Sequence, residues 1–152
     1  MIAHLAPPCL RLQTGGDRPG GHHAAPMSRA HPGERLLGRR VLIVEDQALL
    51  ALEMQFAFED EGAEVLGPAL TLEAARAVAL AGEPIDAAVL DVDLIGHEVY
   101  PVAALLQKRG VPLLFHTAHG TVAELHALFP DAVTCIKPTL PDTLVRRLVT
   151  LI

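Results

Sequence analysis

Four apolar runs in this chain end at residues with acid, hydroxyl or ammonium side chains. Val41–Val44 is followed by Glu45 and Asp46. Ile85–Leu90 is followed by Asp91, with Asp93 two positions on. His116 and Thr117 follow Val111–Phe115, and Lys137–Pro138 follows Val133–Ile136. Carboxylates brought together repel one another unless a cation lies among them. Oxygen donors without a His/Cys set point to Mg2+ or another hard divalent ion. A lysine opposite such an ion, a threonine hydroxyl and one carboxylate acting as nucleophile make a set that can stabilise a transferring phosphoryl group.

These residues meet only if the runs are neighbouring strands of one sheet. The intervening segments supply that architecture. Ala48–Glu61 reads as a helix, with Leu50, Met54, Ala57 and Phe58 on one face, Asp46 as a cap and Gly62 as its end. Glu64–Leu66 is a weaker strand closed by Gly67–Pro68. Leu72–Leu80, Tyr100–Lys108, Thr121–Leu128 and Thr143–Leu151 read as further helices. A loop containing Gly96 follows Asp91, and Pro112 is tolerated because it stands at a strand start. Strands that are apolar without alternation indicate a parallel sheet covered on both faces. The expected fold is α/β, one doubly wound layer with right-handed crossovers. Sites in such folds form at the carboxyl ends of the strands, where the polar residues lie.

The 152 residues amount to one domain, with a mean hydropathy of +0.35. The charge is uneven. Residues 1–40 carry six Arg and two acidic residues, whereas residues 41–152 carry six Lys or Arg and sixteen Asp or Glu. An acidic body argues against a nucleic-acid footprint. No run is apolar enough for a membrane span, and the start lacks the pattern of a secretory signal. A cytoplasmic protein is expected, with Cys9 and Cys135 reduced and Cys135 buried. Residues 1–38, rich in Gly, Pro and Arg, read as a flexible leader that adds little to the fold, and the domain proper as 39–152. Met27 is a second possible start. The leader histidines, His22–His23 included, lack the fixed geometry of a metal site.

From about Arg40 to Ile152 the chain resembles the receiver domain of bacterial response regulators, a CheY-like family of two-component signalling. The segments that carry the resemblance are VLIVEDQALLALEM, AAVLDVDLIG, VPLLFHTAHG and CIKP, with 45, 26 and 20 positions separating Asp46, Asp91, Thr117 and Lys137. The resemblance implies a five-stranded sheet in the order 2-1-3-4-5. It implies that Asp91 is the phosphoacceptor and that Mg2+ is held by Asp46, Asp91 and the backbone carbonyl of Asp93, with Glu45 in support. Thr117 would be the switch hydroxyl and Lys137 the partner of the phosphoryl group, and the bond before Pro138 would be cis. The implied donor is a sensor histidine kinase or histidine phosphotransfer protein. Output would pass by protein contact to an unknown downstream protein, from a monomer or weak homodimer. The contact face would be made by the fourth helix, the fifth strand and the last helix.

The chain departs from the family pattern at Thr134 and Thr139, where aromatic residues are usual. Without a ring at Thr134, the loop around Thr117–Gly120 and the start of the next helix are expected to carry most of the response. His116 and His119 read as polar loop residues beside the site, and Tyr100 carries no signal of its own. Two other readings compete. A metal-dependent phosphohydrolase shares the chemistry but needs elements that grip a small substrate, and turnover of many substrates would separate it from a single phosphoryl transfer. A receiver-like binding module that is never phosphorylated fits poorly with a complete acid and lysine set. The expectation is a phosphoacceptor that loses its phosphoryl group slowly, not an enzyme of ordinary turnover.

Overall fold

The computed structural model describes residues 33–118 and 122–152. Its central sheet contains β1 (Arg40–Val44), β2 (Glu64–Ala69), β3 (Ala87–Leu90), β6 (Leu113–Thr117) and β7 (Val133–Ile136). All neighbours are parallel, in the order β2-β1-β3-β6-β7, which is 2-1-3-4-5 when only these strands are counted. The helices are α1 (Ala48–Glu59), α2 (Leu72–Leu80), α3 (Tyr100–Lys108), α4 (Val122–Leu128) and α5 (Pro141–Val149). Between β3 and α3 stands a two-stranded antiparallel hairpin, β4 (Asp93–Leu94) and β5 (His97–Glu98).

The inner strands β1, β3 and β6 are mostly apolar and buried because both faces of the sheet are covered. Leu42, Val44, Ala88, Leu90, Leu113 and Phe115 point into a cluster with residues of α2, α3 and α4. Val41, Ile43, Ala87, Val89 and Leu114 point the other way, against Met54 and Phe58 of α1 and Leu144, Val145 and Leu148 of α5. Successive strand residues alternate between the clusters, so neither face can be polar.

Local chemistry moves several boundaries from their expected places. β6 begins at Leu113 because Pro112 has no N–H for the ladder, and it extends through His116 and Thr117. β2 runs on to Ala69 through a break in register opposite Leu42–Val44. Gly67 occupies that break with φ +102, and a Cβ there would lie 2.6 Å from the Ala69 nitrogen. Asp46 does not cap α1. Gln47 holds the N-cap position without a side-chain bond, and its N–H donates to Glu45 Oε1 at 3.1 Å.

The folded body also begins before the expected boundary at 38–39. Leu36 is fully buried with Phe58 and Leu144. Arg35 Nη2 donates to Glu61 Oε1 at 2.6 Å and to Asp142 Oδ1 at 2.7 Å. Gly33–Leu37, placed with the leader by composition, thus has contacts with α1 and α5. Composition pointed to a loose segment, but one leucine and one arginine are enough to join it to α1 and α5. The leader reading for residues 1–32, with its histidines, Cys9 and Met27, lies outside the described residues.

Candidate phosphoryl-transfer site

The carboxyl edge of the sheet brings together the residues that end β1, β3, β6 and β7. A cavity of about 600 Å3 opens there, lined by Asp46, Asp91, Asp93, Thr117 and Lys137, with Tyr100 in its wall. Lys137 Nζ donates to Asp91 Oδ2 at 2.7 Å and to Glu45 Oε2 at 2.9 Å. Its own N–H donates to the Thr117 carbonyl at 2.8 Å, which ties the lysine to the end of β6. The Lys137–Pro138 peptide is cis, as is Gly67–Pro68.

Glu45 is fully buried, so burial pushes its carboxyl up even though Lys137 and the Gln47 N–H pull it down. For Lys137 the two carboxylates outweigh burial, which alone would lower it, and the ammonium is held above its ordinary value. Asp91 is nearly buried, and its Oδ1 accepts the Asp93 N–H at 3.3 Å. Asp46 Oδ2 accepts the Ile95 N–H at 3.2 Å from the turn of the hairpin.

One oxygen from each of Glu45, Asp46 and Asp91 lies within 4.8 Å of the other two. Against these three carboxylates the site sets the single ammonium of Lys137, so negative charge remains in excess. An all-oxygen donor set with residual negative charge fits a hard divalent cation. Both Glu45 oxygens are engaged by the protein, whereas Asp46 and Asp91 face the cavity. The Asp93 side chain turns back to accept the Gly96 N–H at 2.9 Å.

His116 and Thr117 point to opposite faces of β6. Thr117 joins the cavity wall. His116 lies buried under the sheet's other face, where burial and the Lys137 charge hold its imidazole at about 4, so it is neutral at physiological pH. His119 lies outside the described residues. Cys135 is buried, and burial pushes its thiol up.

Two contributors were not legible in the sequence. Tyr100 reaches the cavity because α3 starts directly behind the hairpin. Ile95 holds Asp46 through its backbone, with φ +53, an uncommon conformation for a β-branched residue. The adjacent Gly96, also at positive φ, was the one local sign of a two-residue hairpin turn.

No protein-family model matches the chain, and no curated protein does either. Solved structures do. A response regulator receiver protein from Sinorhizobium medicae superposes with a TM-score of 0.67 at 21% identity, over 74% of this chain and 93% of that one. The chain has the receiver-domain fold of response regulators. The non-phosphorylated receiver domain of HemR from Leptospira biflexa gives 0.65 at 24% identity, over 74% and 93% of the two chains. The response regulator PhyR from Brucella abortus gives 0.65 at 26% identity, over 77% of this chain and 49% of its own. The receiver fold accounts for the strand order and for the position of the acidic cavity at the carboxyl edge.

Proposed function

We propose that this protein is a response-regulator receiver in which Asp91 accepts a phosphoryl group from the phosphohistidine of a kinase or phosphotransfer protein. The observation that carries this reading is the Lys137 ammonium held between Glu45 and Asp91 at the rim of an acidic cavity. A carboxylate oxygen of Asp91 forms the new O–P bond as the N–P bond of the donor breaks. The electron pair of that bond goes to the donor imidazole nitrogen, which takes up a proton from solvent. Thr117 donates its hydroxyl to one phosphoryl oxygen and Lys137 its ammonium to another.

Asp46, Asp91 and the Asp93 carbonyl are the residues that would hold Mg2+, with Glu45 in support by orienting Lys137. When bound, the ion supplies charge neutralisation at the phosphoryl oxygens. The acyl phosphate then biases the domain between two packings that a downstream protein distinguishes. Among the described residues no helix is long and apolar enough to cross a membrane.

Incubation with Mg2+ and acetyl phosphate, followed by intact mass, tests the assignment. The wild type should gain one phosphoryl group and Asp91→Asn none. Equal labelling of the two would remove Asp91 from the role. Continuous turnover of small phosphoesters would favour a phosphohydrolase instead. Asp46→Asn should weaken Mg2+ binding in calorimetric titration about tenfold or more.

A further inference from the structure

The chain has five aromatic residues, and three of them form a row on the side of the sheet covered by α2, α3 and α4. Tyr100, the first residue of α3, walls the cavity that holds Asp91, Thr117 and Lys137. Its ring centroid lies 6.2 Å from that of Phe129, with the planes tilted by 47°. Phe129 meets Phe115 at 5.2 Å and 49°. Both separations fall in the range where tilted aromatic pairs attract. Phe129 directly follows α4, and its N–H donates to the Leu125 carbonyl at 2.7 Å, so it moves with the last turn of that helix.

The register of β6 and β7 explains why this row matters. Phe115 and Thr117 project from the same face of β6. Thr134 is the β7 residue paired with Phe115, so it stands on that face beside the ring. A threonine there is too small to fill the space or to push on it. The aromatic volume on this face comes instead from Phe129, which is 4% exposed, and from Tyr100.

We propose that Tyr100 couples the state of Asp91 to α4, acting through Phe129 in place of a ring on β7. The proposal rests on the reading of Asp91 as phosphoacceptor. A phosphoryl group on Asp91 brings bulk and negative charge into the cavity that Tyr100 walls, and a phenol O–H is a donor suited to it. A turn of the Tyr100 ring changes the surface on which Phe129 packs. A close-packed interior does not absorb such a change gradually but passes it on as a shift between arrangements. Because Phe129 is bonded to Leu125, the shift reaches the C-terminal turn of α4. Tyr100 is thus a positioning residue, and the response extends beyond the Thr117 loop.

The test uses the full chain, Mg2+ and acetyl phosphate, with intact mass and amide NMR read on the same samples. Phe129→Leu keeps an apolar side chain and removes the ring. It should gain one phosphoryl group as the wild type does, with amide shift changes across Val122–Leu128 reduced by roughly threefold or more. The changes at Asp91 and Thr117 should persist. Tyr100→Leu, a second route to the same break, should also lose the α4 changes, whereas Tyr100→Phe should keep most of them. Wild-type shift changes in α4 of either leucine variant would overturn the coupling while leaving the acceptor reading intact. Absence of a phosphoryl gain in the wild type would remove the acceptor reading, and this proposal with it.

Discussion

In two places in this molecule one cation is held between two carboxylates, yet the surroundings differ. Arg35 joins Glu61 to Asp142, and Lys137 joins Glu45 to Asp91. In the first, Glu61 also accepts the N–H groups of Gly33 and Arg35 at 3.0 and 3.3 Å. Its carboxyl is held down to about 2, chiefly by the Arg35 guanidinium. Asp142 is lowered as well, by Arg35 first, and pairs with Arg146 besides. A carboxylate bonded in this way has nothing left to offer a ligand. In the second cluster, burial pushes Glu45 up, and Asp91 faces an open cavity. The arginine cluster closes a structure. The lysine cluster keeps an acid close to a cation and accessible, as a reacting group requires.

Exchanging each cation for an isosteric apolar residue should break the comparison most sharply. Lys137→Met should cut the rate of phosphoryl gain from acetyl phosphate about 100-fold, the scale of losing one preorganised donor. Arg35→Met should leave that rate unchanged in the folded protein but lower its stability by about 2 kcal/mol in denaturant unfolding. It strands Glu61 in a partly buried place, and the exposed Asp142 arm adds little. A rate loss in Arg35→Met would mean that the two clusters are not separate in function.

Starting the chain at Gly38 removes Arg35 and the fully buried Leu36 together. Relative to a start at Gly33, this should cost about 3 kcal/mol or more. Equal unfolding midpoints for the two chains would show that Gly33–Leu37 only rests on the domain.

Acid should separate the clusters by sign. Glu61 is depressed from 4.5 to about 2, so the unfolded chain binds its proton more readily between those values. Its contribution is present above pH 4.5 and is lost as pH falls towards 2. Glu45 is raised, so the folded state binds the proton more readily in the window above 4.5. Its protonation there adds stability as pH falls. Glu61→Gln should therefore flatten the acid loss, and Glu45→Gln should remove the opposing gain. Both effects are measurable in unfolding curves taken across pH, and slopes of the same sign would contradict the difference in burial.

The smallest effect belongs to the hairpin turn. Ile95→Asn places a residue that tolerates positive φ where a β-branched one now stands, and should raise stability by about 0.5–1 kcal/mol. The N–H bond to Asp46 should survive, so Mg2+ affinity should change little. A large drop in affinity would mean that the isoleucine side chain itself supports the metal site.

Periodicity and strand-end chemistry are local properties, and they were legible. Apart from the β4–β5 hairpin, which read as a loop, the order of elements, the doubly covered sheet and the placement of Asp46, Asp91, Thr117 and Lys137 at strand ends all follow from short runs read one at a time. The partners of those residues were not legible, because contacts across long stretches of chain leave no periodic trace. Glu45 and Asp46 are neighbours in sequence, yet one turns inward to Lys137, 92 positions away, and the other outward to the Ile95 N–H. Gly33–Leu37 looked like the end of a loose leader. Packing made it part of the domain by giving Leu36 a fully buried place and Arg35 a carboxylate 107 positions distant. Tyr100 looked featureless until α3 was set behind the hairpin and its ring met Phe129. Residue types and spacing determined which chemistry this chain can hold. Only the tertiary structure decided which carboxylate is locked, which faces the cavity and which ring stands beside it, because each depends on burial and on partners remote in the chain.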